Sequence, residues 1–212
     1  MRGVAAAVIT ACLLGAGAAG AATVVAMARA GDRPLADAVV TLTPLGIAPD
    51  GRPATGDGVM RQHDERFDPF VVAISTGSRV RFPNDDDVRH HVYSFSPAKP
   101  FELRLYGRDE TPSVLFDRPG IVAVGCNIHD TMRGYVYVTY APWFGVTDGE
   151  GLAPLTGIPA GRYRVDAWHP DQRRAMEPME ITVAGTDVEV VLPILAGQGR
   201  ERGGPDPERG AY

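Results

Sequence analysis

Cys126, His129 and Met132 fall within the seven residues 126–132, inside the stretch GCNIHDTMRGYVYV. A thiolate, an imidazole and a thioether gathered by one tight loop form a soft, mixed nitrogen–sulfur donor set. Copper suits that set best: thiolate and thioether favour Cu(I), imidazole accepts both oxidation states, and Cu(II) heads the divalent affinity order. Zinc takes Cys and His, but its structural sites are closed tetrahedra of Cys, His and carboxylate ligands. A fourth donor is needed, and a second histidine fits. Of the five histidines, His63 lies in an acidic stretch, QHDERF, and His169 in a later Gly-rich block. That leaves His90 and His91 in NDDDVRHHVYSFS. A strand carrying either one opposite the cysteine loop would complete a His₂Cys plane with Met132 axial.

The elements that must position these side chains are short strands. FVVAIS and SRVRF flank Thr76-Gly77, and HHVYSFS, FELRLY, PSVLF, GIVAVG and GYVYV follow. Seven short runs in close succession, separated by turn residues, indicate a sandwich or barrel. Along HHVYSFS, His90 shares a side with Val92, and His91 shares the other with Tyr93 and Phe95. FELRLY alternates, which places Phe101, Leu103 and Leu105 on one face and Glu102, Arg104 and Tyr106 on the other. Cys126 ends the GIVAVG strand, and Met132 stands just before the next one. Asp85, Asp86 and Asp87 lack the glycine turn and distal glutamate of a calcium loop, so they read as a solvated acidic turn.

Two further blocks flank this middle region. TVVAMARAGDRPLADAVVTLTP reads as strand, turn, strand, with Gly31-Asp32 at the turn. After Trp143, TDGEGLAPLTGIPAGRYRVDAWHP, MEITVAG and VEVVLPI are again short strands with Gly-rich turns. Each flank alone makes a thin sheet, so the two are expected to combine. Residues 22–48 and 145–195 then form one discontinuous sandwich, with 60–142 inserted. Trp143 and Phe144 fall at the junction.

The first 21 residues, MRGVAAAVITACLLGAGAAGA, have the pattern of a secretory leader: one positive charge, a small-residue apolar core, then Ala-Gly-Ala. A periplasmic or secreted location follows, with Cys12 in a faint lipid-attachment context. Cleavage would leave Cys126 alone, unable to form an internal disulfide in an oxidising compartment. The net charge of −5 argues against nucleic acid as a partner, and no polybasic cluster points to an anionic membrane surface. The segment 196–212 (AGQGRERGGPDPERGAY) has almost no apolar residues and reads as a disordered tail.

The middle block resembles the cupredoxins, the plastocyanin and amicyanin type of blue copper protein. The resemblance runs through Asn84, His90-His91-Val92, Gly120-Ile121-Val122, Cys126-x-x-His129 and Met132-Arg133-Gly134-Tyr135-Val136-Tyr137-Val138. The Cys-x-x-His-x-x-Met spacing is similar to the short amicyanin loop. The chain as a whole resembles proteins of the methylamine utilization type, which carry HHVYSFS and GCNIHD. The resemblance implies an all-β, Greek-key cupredoxin sandwich with one mononuclear type 1 copper site. The ligands it implies are His90, Cys126, His129 and Met132, with His91 as the alternative to His90. Val122 and Val124 depart from the usual aromatics, and His91 stands where the family has asparagine. Asn84 is implied to hydrogen-bond across the loops. The implied role is a single-electron carrier rather than an enzyme, with a dehydrogenase or a c-type cytochrome as partner. The flanking blocks resemble the transthyretin-like fold of carboxypeptidase regulatory domains. That likeness implies a second, small Ig/transthyretin-like β-sandwich with a structural role.

Overall fold

The computed structural model describes residues 21–46 and 57–197. Nearly all of the expected leader, Cys12 included, and residues 198–212 of the expected tail lie outside the described residues. The described chain is all-β, with no helix. Its strands are β1 (Ala22–Ala30), β2 (Arg33–Pro34), β3 (Val39–Pro44), β4 (Gly58–Val59), β5 (Arg61–His63), β6 (Arg66–Asp68), β7 (Val71–Ser75), β8 (Ser78–Arg81) and β9 (His90–Ser94). They continue with β10 (Phe101–Tyr106), β11 (Ser113–Phe116), β12 (Gly120–Gly125), β13 (Arg133–Thr139), β14 (Trp143–Val146), β15 (Leu152–Ile158), β16 (Gly161–Trp168), β17 (Met179–Val183) and β18 (Val188–Pro193).

Two sandwiches result. In the first, the sheet β10-β9-β12-β13-β7 is backed by β11-β8-β4. Their inner faces share one core, which includes Phe82, Val92, Phe116, Val122, Val136 and Met132. In the second, β15-β1-β18, with β2 at the end of β1, is backed by β14-β3-β16-β17. Its core includes Val24, Leu42, Ile158, Val165 and Leu192. Every ladder among the described strands joins strands of the same sandwich or closes the small β5–β6 hairpin. Trp143 and Phe144 pair with Leu42 and Thr41 as the start of β14, and the Trp143 ring meets the Tyr163 edge 5.7 Å away. The sandwiches touch where Trp168 packs on Tyr135 and Tyr137, at 5.4 and 5.7 Å between ring centres.

The period-two pattern explains which side chains reach the first core. In β12, Val122 and Val124 are buried while Ile121 and Ala123 face out. In β9, His90, Val92 and Ser94 point inward. The alternation expected of FELRLY breaks in β10. Pairing with β9 runs regularly through Leu103 and shifts before Tyr106, which is buried opposite His90, while Leu105 is 48% exposed. An irregularity of this kind moves the following residue to the other face. It buries a tyrosine whose hydroxyl finds a partner, the Phe82 carbonyl at 2.8 Å.

Candidate metal centre

The pairing of β9 with β12 sets the site. Tyr93 of β9 stands opposite Gly125 of β12, so the start of β9 lies beside the residue that follows β12. That residue is Cys126. The loop from Cys126 to Met132 is closed by two backbone bonds: Met132 N–H donates to the His129 carbonyl at 2.9 Å, and Cys126 N–H donates to the Met132 carbonyl at 3.1 Å. The fit is close at Gly125, where a Cβ would stand 3.2 Å from the Tyr93 ring and would require that ring to shift.

Three donors converge. Nδ1 of His90 and Nδ1 of His129 are 3.1 Å apart, and Cys126 Sγ is 3.9 Å from the first and 3.5 Å from the second. All three residues are buried, as is Met132 in the same core. Donors bound at about 2.0 Å for nitrogen and 2.3 Å for sulfur around one ion stand roughly 3.3–3.8 Å from each other. The observed separations, 3.1, 3.5 and 3.9 Å, lie within about 0.2 Å of that range, so small side-chain shifts would let His90, Cys126 and His129 share one ion. A thiolate with two imidazoles is a donor set that suits copper, and Met132 shares the buried core with Cys126. His91 points away: its Nε2 meets Glu102 Oε1 at 3.0 Å on the outer face of β9.

The electrostatics favour the charged forms. Burial opposes a charge on His90, yet hydrogen bonds and attraction to Cys126 and Asp86 outweigh it and hold the imidazole above its ordinary value. Burial likewise pushes the Cys126 thiol up. The His90 hydrogen bond, the backbone N–H groups of His91 and Ile128, and the His90 charge overcome that and bring it down. The pocket therefore stabilises a thiolate before any cation enters.

The sequence reading missed part of the surroundings. Asp85 is half-buried and Asp87 exposed, and they pair with Arg61 and Arg108, as a solvated turn should. Asp86 is different. Its side chain is only 11% exposed, and its Oδ2 lies 2.7 Å from His90 Nε2. It also accepts the backbone N–H groups of Asp64 and Glu65. Burial would raise its carboxyl, but these bonds and the His90 interaction lower it below its ordinary value. Glu65 Oε2 lies 3.7 Å from His129 Nε2. The only sequence signal for Asp86 was its position four residues before His90, and for Glu65 there was none. Asn84 braces its own loop and ties it to the end of β10, not to the cysteine loop: its Nδ2 donates to the Val88 and Tyr106 carbonyls, and its Oδ1 accepts from Asp86 N–H. His63 is exposed beside Asp64. His169 is buried; its Nε2 meets the Ala36 carbonyl and its Nδ1 accepts from Asp171 N–H.

No protein-family model matches the chain, and no curated protein matches it. Several solved structures are similar to part of it. A copper-containing nitrite reductase from Thermus scotoductus SA-01 is 24% identical over 46% of this chain, with a TM-score of 0.37, and the match spans only 25% of the reductase. A purple cupredoxin from Nitrosopumilus maritimus is 20% identical over 40% of this chain and 99% of its own, with a TM-score of 0.35. A reduced amicyanin variant is 19% identical over 47% of this chain and 99% of its own, with a TM-score of 0.36.

Proposed function

We propose that this chain is a periplasmic type 1 copper protein that carries single electrons between redox partners. One observation carries the reading: two imidazole nitrogens and a thiol sulfur, drawn from β9 and the β12–β13 loop, converge within 3.1–3.9 Å in a buried pocket. His90, Cys126 and His129 would hold the ion, with Met132, in the same core as Cys126, as a fourth candidate donor. Bound copper would supply a one-electron couple. The chain supplies a frame that keeps its donors in place, because strand pairing fixes His90 and two backbone bonds fix the loop. The thiolate is stabilised in advance by N–H donors and by His90. Of the other histidines, His91 is bonded to Glu102, His169 to the Ala36 carbonyl, and His63 stands exposed with the carboxylates of Asp64 and Asp86, so they do not gather into a second histidine-rich site among the described residues. An electron carrier is the better reading than an oxidase or reductase.

Around the buried His129, the residues Asn127, Ile128, Asp130 and Thr131 are exposed. They offer a small surface for the weak, transient docking typical of redox encounters. By the sequence resemblance, a dehydrogenase or a c-type cytochrome is the partner class. We assign residues 22–48 and 145–195 to a discontinuous structural sandwich carrying the copper domain of residues 60–142, exported by the leader at 1–21.

A second reading, copper storage or delivery without redox traffic, is favoured by one feature: His129 is only 6% exposed, which leaves little of its ring edge open to a partner. Reconstitution with Cu(II), followed by visible absorption and electron spin resonance, separates the two. A strong thiolate-to-copper band that bleaches and returns on redox cycling supports the carrier. A colourless protein that holds only Cu(I) supports storage. Persistence of the band in Cys126→Ser would mean that the site is misassigned.

A further inference from the structure

The β5–β6 hairpin sits over the outer side of the site, and two carboxylates connect it to the two imidazole rings. Asp86 meets His90 Nε2 at 2.7 Å through Oδ2. The same carboxylate accepts the N–H of Asp64 at 2.7 Å and of Glu65 at 3.0 Å, the two residues of the hairpin turn. Glu65 then turns its own carboxylate to His129 Nε2, at an ion-pair distance of 3.7 Å. A continuous path runs from one ring through Asp86 and the turn to the other ring. Both turn residues have left-handed φ, 51° at Asp64 and 53° at Glu65. Two-residue turns of this kind favour Asn-Gly or Asp-Gly, so a glutamate at the second position is not what the turn itself selects.

The hairpin is seated firmly. Gln62 is fully buried, and its Nε2 reaches the Tyr106 hydroxyl at 2.5 Å and the Phe82 and Pro83 carbonyls at 3.3 Å. On the other strand, Phe67 is buried in the first core. The turn is thus held against the site from both of its strands.

We infer that Asp86 and Glu65 are positioning residues that brace the two imidazoles from outside, fixing both rings with Nδ1 turned inward. An outer carboxylate that accepts the Nε2–H fixes the ring's tautomer and orientation and makes the inner nitrogen a better donor. Asp86 is the stronger brace, because it is hydrogen-bonded and nearly buried, whereas Glu65 stands farther off. The inference rests on the copper reading above.

The test uses the full chain loaded with copper and compares wild type with Asp86→Asn, Glu65→Gln and Glu102→Gln. Competition with chelators gives Cu(II) and Cu(I) affinities, voltammetry gives the potential, and electron spin resonance reports the Cu(II) geometry. Asp86→Asn is expected to weaken Cu(II) about 10–100-fold, and Cu(I) less, because the braced, electron-rich imidazole favours the higher charge. Each tenfold difference between the two states raises the one-electron potential by about 59 mV. Glu65→Gln should move the potential the same way by less, and should do so even if Asp86→Asn fails to fold. Glu102→Gln removes a carboxylate bonded to His91 on the outer face of β9, away from both rings of the site, and should leave potential and spectrum at the wild-type values. Unchanged potential and spectrum in both Asp86→Asn and Glu65→Gln, or an equal shift in Glu102→Gln, would overturn the brace. Failure of the wild type to bind copper would overturn the site itself, a result separate from anything the variants show.

Discussion

At the residue scale, adjacent histidines are given opposite tasks by strand alternation. His90 faces the thiol and His91 faces Glu102, so the two substitutions should differ sharply. His90→Ala should cost more copper affinity than the roughly 10–100-fold typical of losing an outer partner. His91→Ala should keep the thiolate-to-copper band; chelator competition on the two variants checks both. Tyr106, opposite His90 in the β9–β10 pairing, gives a pH prediction. Burial raises its hydroxyl above the ordinary 10.0, the charges of Cys126 and Glu110 add to this, and the Gln62 bond works against it. Above about pH 10 the unfolded chain releases this proton while the folded chain keeps it. The stability it contributes is therefore complete below that pH and is lost as pH rises toward the folded value. Asp86 has the opposite sign: its contribution is present above its ordinary 3.8 and is lost as pH falls through its lower folded value. Denaturant titrations across pH should show both limbs. Tyr106→Phe should flatten the alkaline one and cost about 1–3 kcal/mol through the abandoned Phe82 and Gln62 partners. The inner donors were legible because their types and spacing are chemically distinctive. The outer carboxylates were not, because an aspartate in an acidic run looks the same whether it is solvated or bonded to a ring.

At the element scale, the strands were legible as short apolar runs between turn residues, as in GIVAVG, or by visible alternation, as in GYVYV. The reading failed at β10, where the irregularity after Leu103 depends on pairing with β9 and leaves no mark in local alternation. The β5–β6 hairpin was also hidden. QHDERF carries polar residues at most positions, and only Gln62 and Phe67 show by burial that it belongs to the fold. Its seat against β13 depends on Gly134. A Cβ there would stand 3.0 Å from Phe67 Cβ and 3.2 Å from the Phe70 carbonyl oxygen. Backbone cannot yield as a flexible side chain does, so Gly134→Ala should destabilise the protein by about 1–3 kcal/mol. If the hairpin covers the site as described, the same variant should also speed removal of bound copper by a chelator. Thermal unfolding and stopped-flow chelation measure the two effects.

At the scale of the whole molecule, the ladders among the described strands, beside the β5–β6 hairpin, fall into two sets, β1–β3 with β14–β18 and β4 with β7–β13. The junction between them was harder to read, because Tyr135, Tyr137 and Trp168 are ordinary strand residues until the sandwiches meet. The copper reading belongs to this scale too, since its donors come from segments some 36 residues apart that only the folded first sandwich joins. Copper K-edge absorption on the loaded full-length chain tests that most directly. The expected result is two imidazole nitrogens and one short copper–sulfur bond around a single copper, with that bond gone in Cys126→Ser. A shell of nitrogen and oxygen alone, or a short copper–sulfur bond that survives Cys126→Ser, would contradict it.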